Sequence, residues 1–157
     1  MSVFLIFVAF VVLGVYIYHG YRTRKLFFES LLAFCNHLQT EISFSKNGIS
    51  HIIETYANSY HQSLRRMLLQ YKHQIDNKQD INLTYPIRLK PSEKSHLNQF
   101  FMELGKHSSD QETTKIENRK VFFASFFDSA NLALKRDASM YLKFCIILGI
   151  VAVVLLL

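Results

Sequence analysis

The sequence predicts an all-α membrane protein in which N- and C-terminal transmembrane helices form a hairpin around a cytoplasmic helical bundle. Three observations predict it. Val3–Tyr18 and Phe144–Leu157 carry no charged side chain. The 18 Lys and Arg and the 12 Asp and Glu all lie between Arg22 and Lys143, so the net charge of +6 belongs wholly to the middle. Between the ends, apolar residues recur three, four or seven apart, the spacing of one helix face. A chain of 157 residues suits one domain rather than two. The expected division is a transmembrane helix over 1–21, a bundle domain over 22–139 and a second transmembrane helix over 140–157.

The first apolar stretch is shorter than the roughly twenty residues that cross a hydrocarbon core. Tyr16, Tyr18 and Tyr21 can extend it as an interfacial belt. A cleaved signal needs a basic start and a small-residue cleavage site; here Tyr, His and Arg follow the apolar run, which favours an uncleaved anchor. No proline interrupts the chain beyond Tyr18, so the helix should continue. Leu31, Phe34, Cys35, Leu38 and Ile42 then make an apolar stripe. Ser45-Lys46-Asn47-Gly48 should end it, because Asn and Gly tolerate the left-handed conformation.

A second helix is expected over about 49–60, with Ile49, Ile52, Ile53, Tyr56 and Ala57 on one face. A third carries Leu64, Met67, Leu68, Tyr71 and Ile75. From Asp76 to Pro91 the periodicity collapses into a connector rich in Asp, Asn and Pro. A fourth helix from about Ser92 presents Leu97, Phe100, Phe101 and Leu104, with Gly105 as its C-cap. Ser109-Asp110-Gln111-Glu112 fits a capping box. The long periodic arm that follows carries Ile116, Phe123, Phe127, Ala130, Leu134 and Tyr141 and runs into the apolar tail. Along the bundle this arm should pair antiparallel with the first helix, Leu31, Phe34 and Leu38 meeting residues among Phe123, Phe127 and Leu134.

The tail from Phe144 covers about 21 Å at 1.5 Å per residue, or about 27 Å if it begins at Met140 and Lys143 snorkels. Arg22, Arg24 and Lys25 flank the first span; Lys135, Arg136 and Lys143 flank the second. By the positive-inside rule the middle faces the cytoplasm and both termini lie outside. Cys35 and Cys145 give no disulfide framework, in keeping with a reducing compartment.

No catalytic, cofactor or metal signature emerges. His37 and Glu41 stand one helical turn apart, but a metal site needs three or four converging ligands. Arg65-Arg66 with Lys72 reads more simply as a solvated basic face than as a nucleic-acid patch. No phosphate loop, nucleophile elbow or spaced carboxylate pair appears. No nucleic acid or small-molecule substrate is expected, and an enzyme is the third-ranked reading.

Three places resemble the stage III sporulation protein AB family, which is related to F-type platform proteins of type II secretion. Leu38-Gln39-Thr40-Glu41-Ile42-Ser43-Phe44 is similar to that family's block after the first span. Phe100-Phe101-x-x-Leu104-Gly105 is similar to its Leu-Gly turn, and Met140-Tyr141-x-Lys143 followed by Gly149 to its closing segment. Two places depart from the pattern: Ser109-Asp110 is displaced by two positions, and Phe144-Cys145 replaces a Leu-Gly. The resemblance implies a non-catalytic platform or scaffold subunit of a sporulation channel in the mother-cell membrane facing the forespore. It also implies other channel membrane proteins and a cytoplasmic ATPase as partners. Because the likeness concentrates there, Glu41, Gly105, Ser109 and Asp110 are the candidate partner-docking residues. The alternative function is a stand-alone membrane-bound sensor or regulator.

Overall fold

The computed structural model describes residues 2–44, 48–106 and 108–156. Among them the chain is all-helical, with no strand. Six α-helices follow in order: α1 Ser2–Phe44, α2 Ile49–Tyr56, α3 Gln62–Asp76, α4 Pro91–Glu103, α5 Ser109–Ala133 and α6 Ser139–Leu156. A 3₁₀ turn, Ala57–Ser59, follows α2, and a π turn, Leu134–Ala138, joins α5 to α6. The chain forms two compact units, one of Met1–Lys25 with Asp128–Leu157 and the other of Leu26–Phe127.

The larger unit is built on α1. Phe27, Phe28, Leu31, Phe34, Cys35 and Leu38 are all fully buried, so the predicted stripe faces a core and extends back to Phe27. Ile52 and Ile53 of α2, Leu64, Met67, Leu68 and Tyr71 of α3, and Leu97 and Phe101 of α4 complete that core, with Ile116 and Phe123 from α5. Each buried aliphatic or aromatic side chain contributes about 1.5–3 kcal/mol relative to exposure, which no cap or surface ion pair matches. Phe34 makes ring contacts with Tyr60 and Phe101, and Phe101 in turn packs edge-on against Tyr71. The Tyr71 hydroxyl donates to the carbonyl of Phe101 at 2.9 Å, giving its buried polar tip a partner.

Helix α5 lies antiparallel to this part of α1. The rings of Phe28 and Phe126 lie 5.8 Å apart. Farther along, Gln39 Nε2 donates to Glu117 Oε2, Lys120 Nζ donates to Gln39 Oε1, and Ser109 Oγ donates to the carbonyl of Ile42. The antiparallel course of the two helices is therefore present in this unit, carried by Phe28–Phe126, Gln39–Glu117 and Ile42–Ser109, while the ring contacts of the stripe residue Phe34 run to Tyr60 and Phe101.

Two local expectations change. The second helix gives way after Tyr56 to the 3₁₀ turn, where the Ser59 hydroxyl donates to the Tyr56 carbonyl. Of the predicted break Ser45-Lys46-Asn47-Gly48, the first three residues lie outside the described residues. Gly48 itself is extended (φ −67°, ψ 151°) and serves as the N-cap of α2, so it is not left-handed. Helix α4 begins at Pro91, whose fixed φ suits the first helical position. Between α3 and α4 the connector is held by two glutamines. Gln74 donates to the carbonyl of Asn82 and accepts from its N–H, while Gln70 donates to the same carbonyl and accepts from the Thr84 N–H.

In the smaller unit α6 lies against the first part of α1. A Cβ on Gly14 would sit 3.0 Å from both Cys145 Cβ and Leu142 Cδ1, and one on Gly149 would sit 2.9 Å from Phe7 Cδ2. Tyr21 and Tyr141 stack with centroids 6.5 Å apart. Low numbers on α1 meet high numbers on α6, so the pair runs antiparallel. Among the described residues one helical stretch, 109–155, is long and apolar enough to cross a membrane. Leu5, Val12, Tyr16, Phe144, Ile147 and Leu155 are among the exposed apolar residues of this unit.

Candidate docking surface

In the larger unit the last turns of α1 meet the end of α2 and the first turn of α5, while the first residue of α2 approaches the turn at Gly105. Glu41 is half-buried on α1, and its Oε1 accepts from the Tyr56 hydroxyl at 2.8 Å. That hydrogen bond to a carboxylate holds the Tyr56 phenol above its ordinary pKa, since ionising it would place two negative charges together. One turn earlier, His37 stacks on Tyr56 at 4.3 Å and its Nδ1 shares a 2.6 Å hydrogen bond with the Tyr60 hydroxyl. Burial is the main reason that the Tyr60 phenol is also pushed up. His37 and Glu41 are four apart on α1, as are Tyr56 and Tyr60 across from them. The four side chains are joined by two hydrogen bonds and the ring stack of His37 on Tyr56.

Gly105 has a φ of +82°, the left-handed conformation expected of a C-cap. A Cβ there would lie 2.6 Å from Ile49 Cδ1, so both the backbone and the close approach of α2 favour glycine. Its N–H donates to Glu112 Oε1 at 3.0 Å. Glu112 is 4 % exposed, and its Oε2 is buried without a hydrogen-bond partner. The predicted capping box therefore changes partners. Ser109 does not use its hydroxyl on its own helix, and the Glu112 carboxylate reaches the left-handed turn instead. The left-handed turn at Gly105 offers its N–H to that carboxylate.

Asp110 is exposed in the first turn of α5, where a carboxylate complements the positive end of the helix dipole. Beside this surface Glu103 pairs with Lys115 and Arg119 at 3.8 and 3.6 Å. The structure thus brings Glu41, Gly105 and Ser109 to one end of the unit, linked through Ile42, Ile49 and Tyr56, with Asp110 on its rim. Sequence reasoning missed Tyr56, Tyr60 and Glu112. The matching four-residue spacings of His37–Glu41 and Tyr56–Tyr60 are the signal that could have found the first two. Among the described residues no three His, Cys, Asp or Glu side chains come together as a metal site would require.

This is a surface of hydrogen-bonded side chains on helix ends. The family model for stage III sporulation protein AB matches residues 1–157, the whole length of the chain. The chain belongs to the stage III sporulation protein AB family. Neither a curated protein nor a solved structure matches it. In this member of a sporulation family, Leu104-Gly105 closes α4 in the left-handed geometry described above. The preceding block, Leu38 to Phe44, supplies both Glu41 and the Ile42 carbonyl that Ser109 engages.

Proposed function

We propose that the protein is a non-catalytic membrane platform of a sporulation channel, docking other channel subunits and a cytoplasmic ATPase through the end of the helical unit bearing Glu41, Gly105, Ser109 and Asp110. The observation that carries this reading is the linkage of Glu41, Ile42, Gly105 and Ser109 at one helix-end surface of a chain matched by the family model along its whole length. In this reading the two apolar ends span the inner membrane as a hairpin, with both termini outside and the middle in the cytoplasm. The exposed apolar residues of the smaller unit and its basic flanks support that arrangement. Reporter fusions placed near Asn82 and at the C-terminus should report opposite sides of the membrane; agreement between them sinks the hairpin. Docking is tested by co-purification of the full chain with channel subunits and the ATPase, comparing the wild type with Glu41→Ala and Asp110→Ala.

A further inference from the structure

The smaller unit concentrates positive charge where its exposed apolar surface begins. It carries Arg22, Arg24, Lys25, Lys135, Arg136 and Lys143 against only Asp128 and Asp137. Lys135 and Arg136 fall within the π turn Leu134–Ala138. A π turn is rare, and it widens the helix by adding a residue to one turn without breaking its hydrogen-bonded column. Here it leads directly into α6, whose one charged residue, Lys143, stands just before the uncharged tail.

Arg136 is the most informative residue. Its side chain is 88 % exposed, yet its Nε donates to Asp137 Oδ1 at 3.0 Å. A contact through Nε fixes one edge of the guanidinium plane and leaves the two terminal amino groups on the exposed part of the side chain. Those groups form the planar fork that matches two oxygens of a phosphate. Apolar side chains stand exposed on both sides of the turn: Leu132 before it, and Met140, Tyr141 and Phe144 after it. An exposed cation with apolar neighbours on both sides along a helix suits the headgroup layer of a bilayer, where fatty chains and phosphates are both within reach. Lys143, two turns farther on and also exposed, adds a second positive charge at the same boundary.

We propose that the π turn is a binding site for the phosphodiester headgroup of an anionic glycerophospholipid. Arg136 supplies the paired donors, Asp137 orients them, and Lys135 and Lys143 add attraction. The proposal rests on the membrane reading above. The apolar flanks decide for a lipid over a free phosphate, because a soluble anion gains nothing from Leu132, Tyr141 or Phe144.

The test uses the full chain reconstituted in phosphatidylcholine vesicles, with spin-labelled phosphatidylglycerol and phosphatidylcholine as probes of the lipid held at the protein surface. Phosphatidylglycerol should be preferred, and Arg136→Gln should weaken the preference about five-fold, the effect of one cation near an anionic surface. Arg66→Gln, which removes an exposed cation from the other unit, should leave it unchanged. Equal association of the two lipids overturns the proposal, as does an equal loss in the Arg66 variant. A preference erased by excess inorganic phosphate assigns a free-anion site and also overturns it. A carbonate wash of the vesicles separates the two levels. If the chain is stripped off, the membrane reading falls and takes this proposal with it; if the chain stays while the preference is absent, only this proposal falls.

Discussion

Ser109 Oγ donates to the main-chain carbonyl of Ile42 at 3.1 Å, so the first residue of α5 satisfies a carbonyl in the last turn of α1. The final four carbonyls of a helix have no partner within it, and a hydroxyl from a neighbouring helix is one way to supply one. Ser109→Ala should cost about 0.5–1.5 kcal/mol, toward the low end because the contact is exposed. Denaturant unfolding of wild type and variant measures it, and an unchanged midpoint would show that water replaces the hydroxyl without loss.

Gly105→Ala should destabilise more, by about 1–2 kcal/mol for the left-handed backbone alone, with a further cost from the approach to Ile49 Cδ1. The steric part is separable. Ile49→Val removes the Cδ1 methyl, so in a double-mutant cycle the Gly105→Ala penalty should shrink in that background while the backbone part remains. Additive effects would show that Ile49 already moves aside.

Acid should weaken the helical unit. Asp76, Glu103 and Glu117 are held below their ordinary values, first by hydrogen bonds from Ser50, Gln99 and Gln39 respectively and then by nearby cations. A carboxylate with a depressed folded pKa stabilises the fold above its unfolded value and loses that contribution as pH falls through the folded one. Stability should therefore be flat near neutrality and decline as pH drops below the ordinary carboxylate range. Thermal melts across that range at low and high salt provide the check. Asp76 and Glu117 are exposed and Glu103 is half-buried, so the decline should be shallow and smaller in high salt.

Cys35 should resist thiol reagents in the folded protein. Burial pushes its thiol up to about 12, and the thiolate is the reactive species. At pH 8 only about one molecule in ten thousand would carry it. Alkylation of a Cys145→Ala variant should therefore be slow until denaturant is added; rapid labelling of the native form would show that this part of α1 opens readily.

Glu41→Ala should leave the protein folded and inserted, shifting stability by no more than about 0.5–1 kcal/mol through loss of the Tyr56 contact. Partner capture should fall. Normal capture and normal sporulation in a folded variant would return Glu41 to a purely structural role.

The long helices were legible because their signals are repetitive. Leu31, Phe34, Cys35 and Leu38 must all point one way once α1 is helical, and all four are buried. The left-handed Gly105 was legible too, since a lone glycine after a periodic stretch has few other uses. What escaped was choice among competing partners. Ser109 and Glu112 have the spacing of a capping box, but the turn geometry before α5 offers them better acceptors and donors elsewhere. Gln70 and Gln74 look like an ordinary solvated face until the connector backbone lies across them. The candidate surface was readable only as separate segments, because His37–Tyr60 and Glu41–Tyr56 depend on how α1 meets the segment from α2 to Tyr60.

The two glycines of the smaller unit stand on opposite helices, Gly14 on α1 facing Leu142 and Cys145, and Gly149 on α6 facing Phe7 and Phe10. Each notch accepts side chains from the other helix, so the two helices are keyed together in both directions. A slide of one turn, about 5.4 Å, would move both notches away from their occupants and bring bulkier neighbours into the gaps. The pair therefore cannot work as a piston. Whatever motion it undergoes must be a tilt or a roll about the keyed positions, and alanine at either glycine should wedge the helices apart rather than shift their alignment.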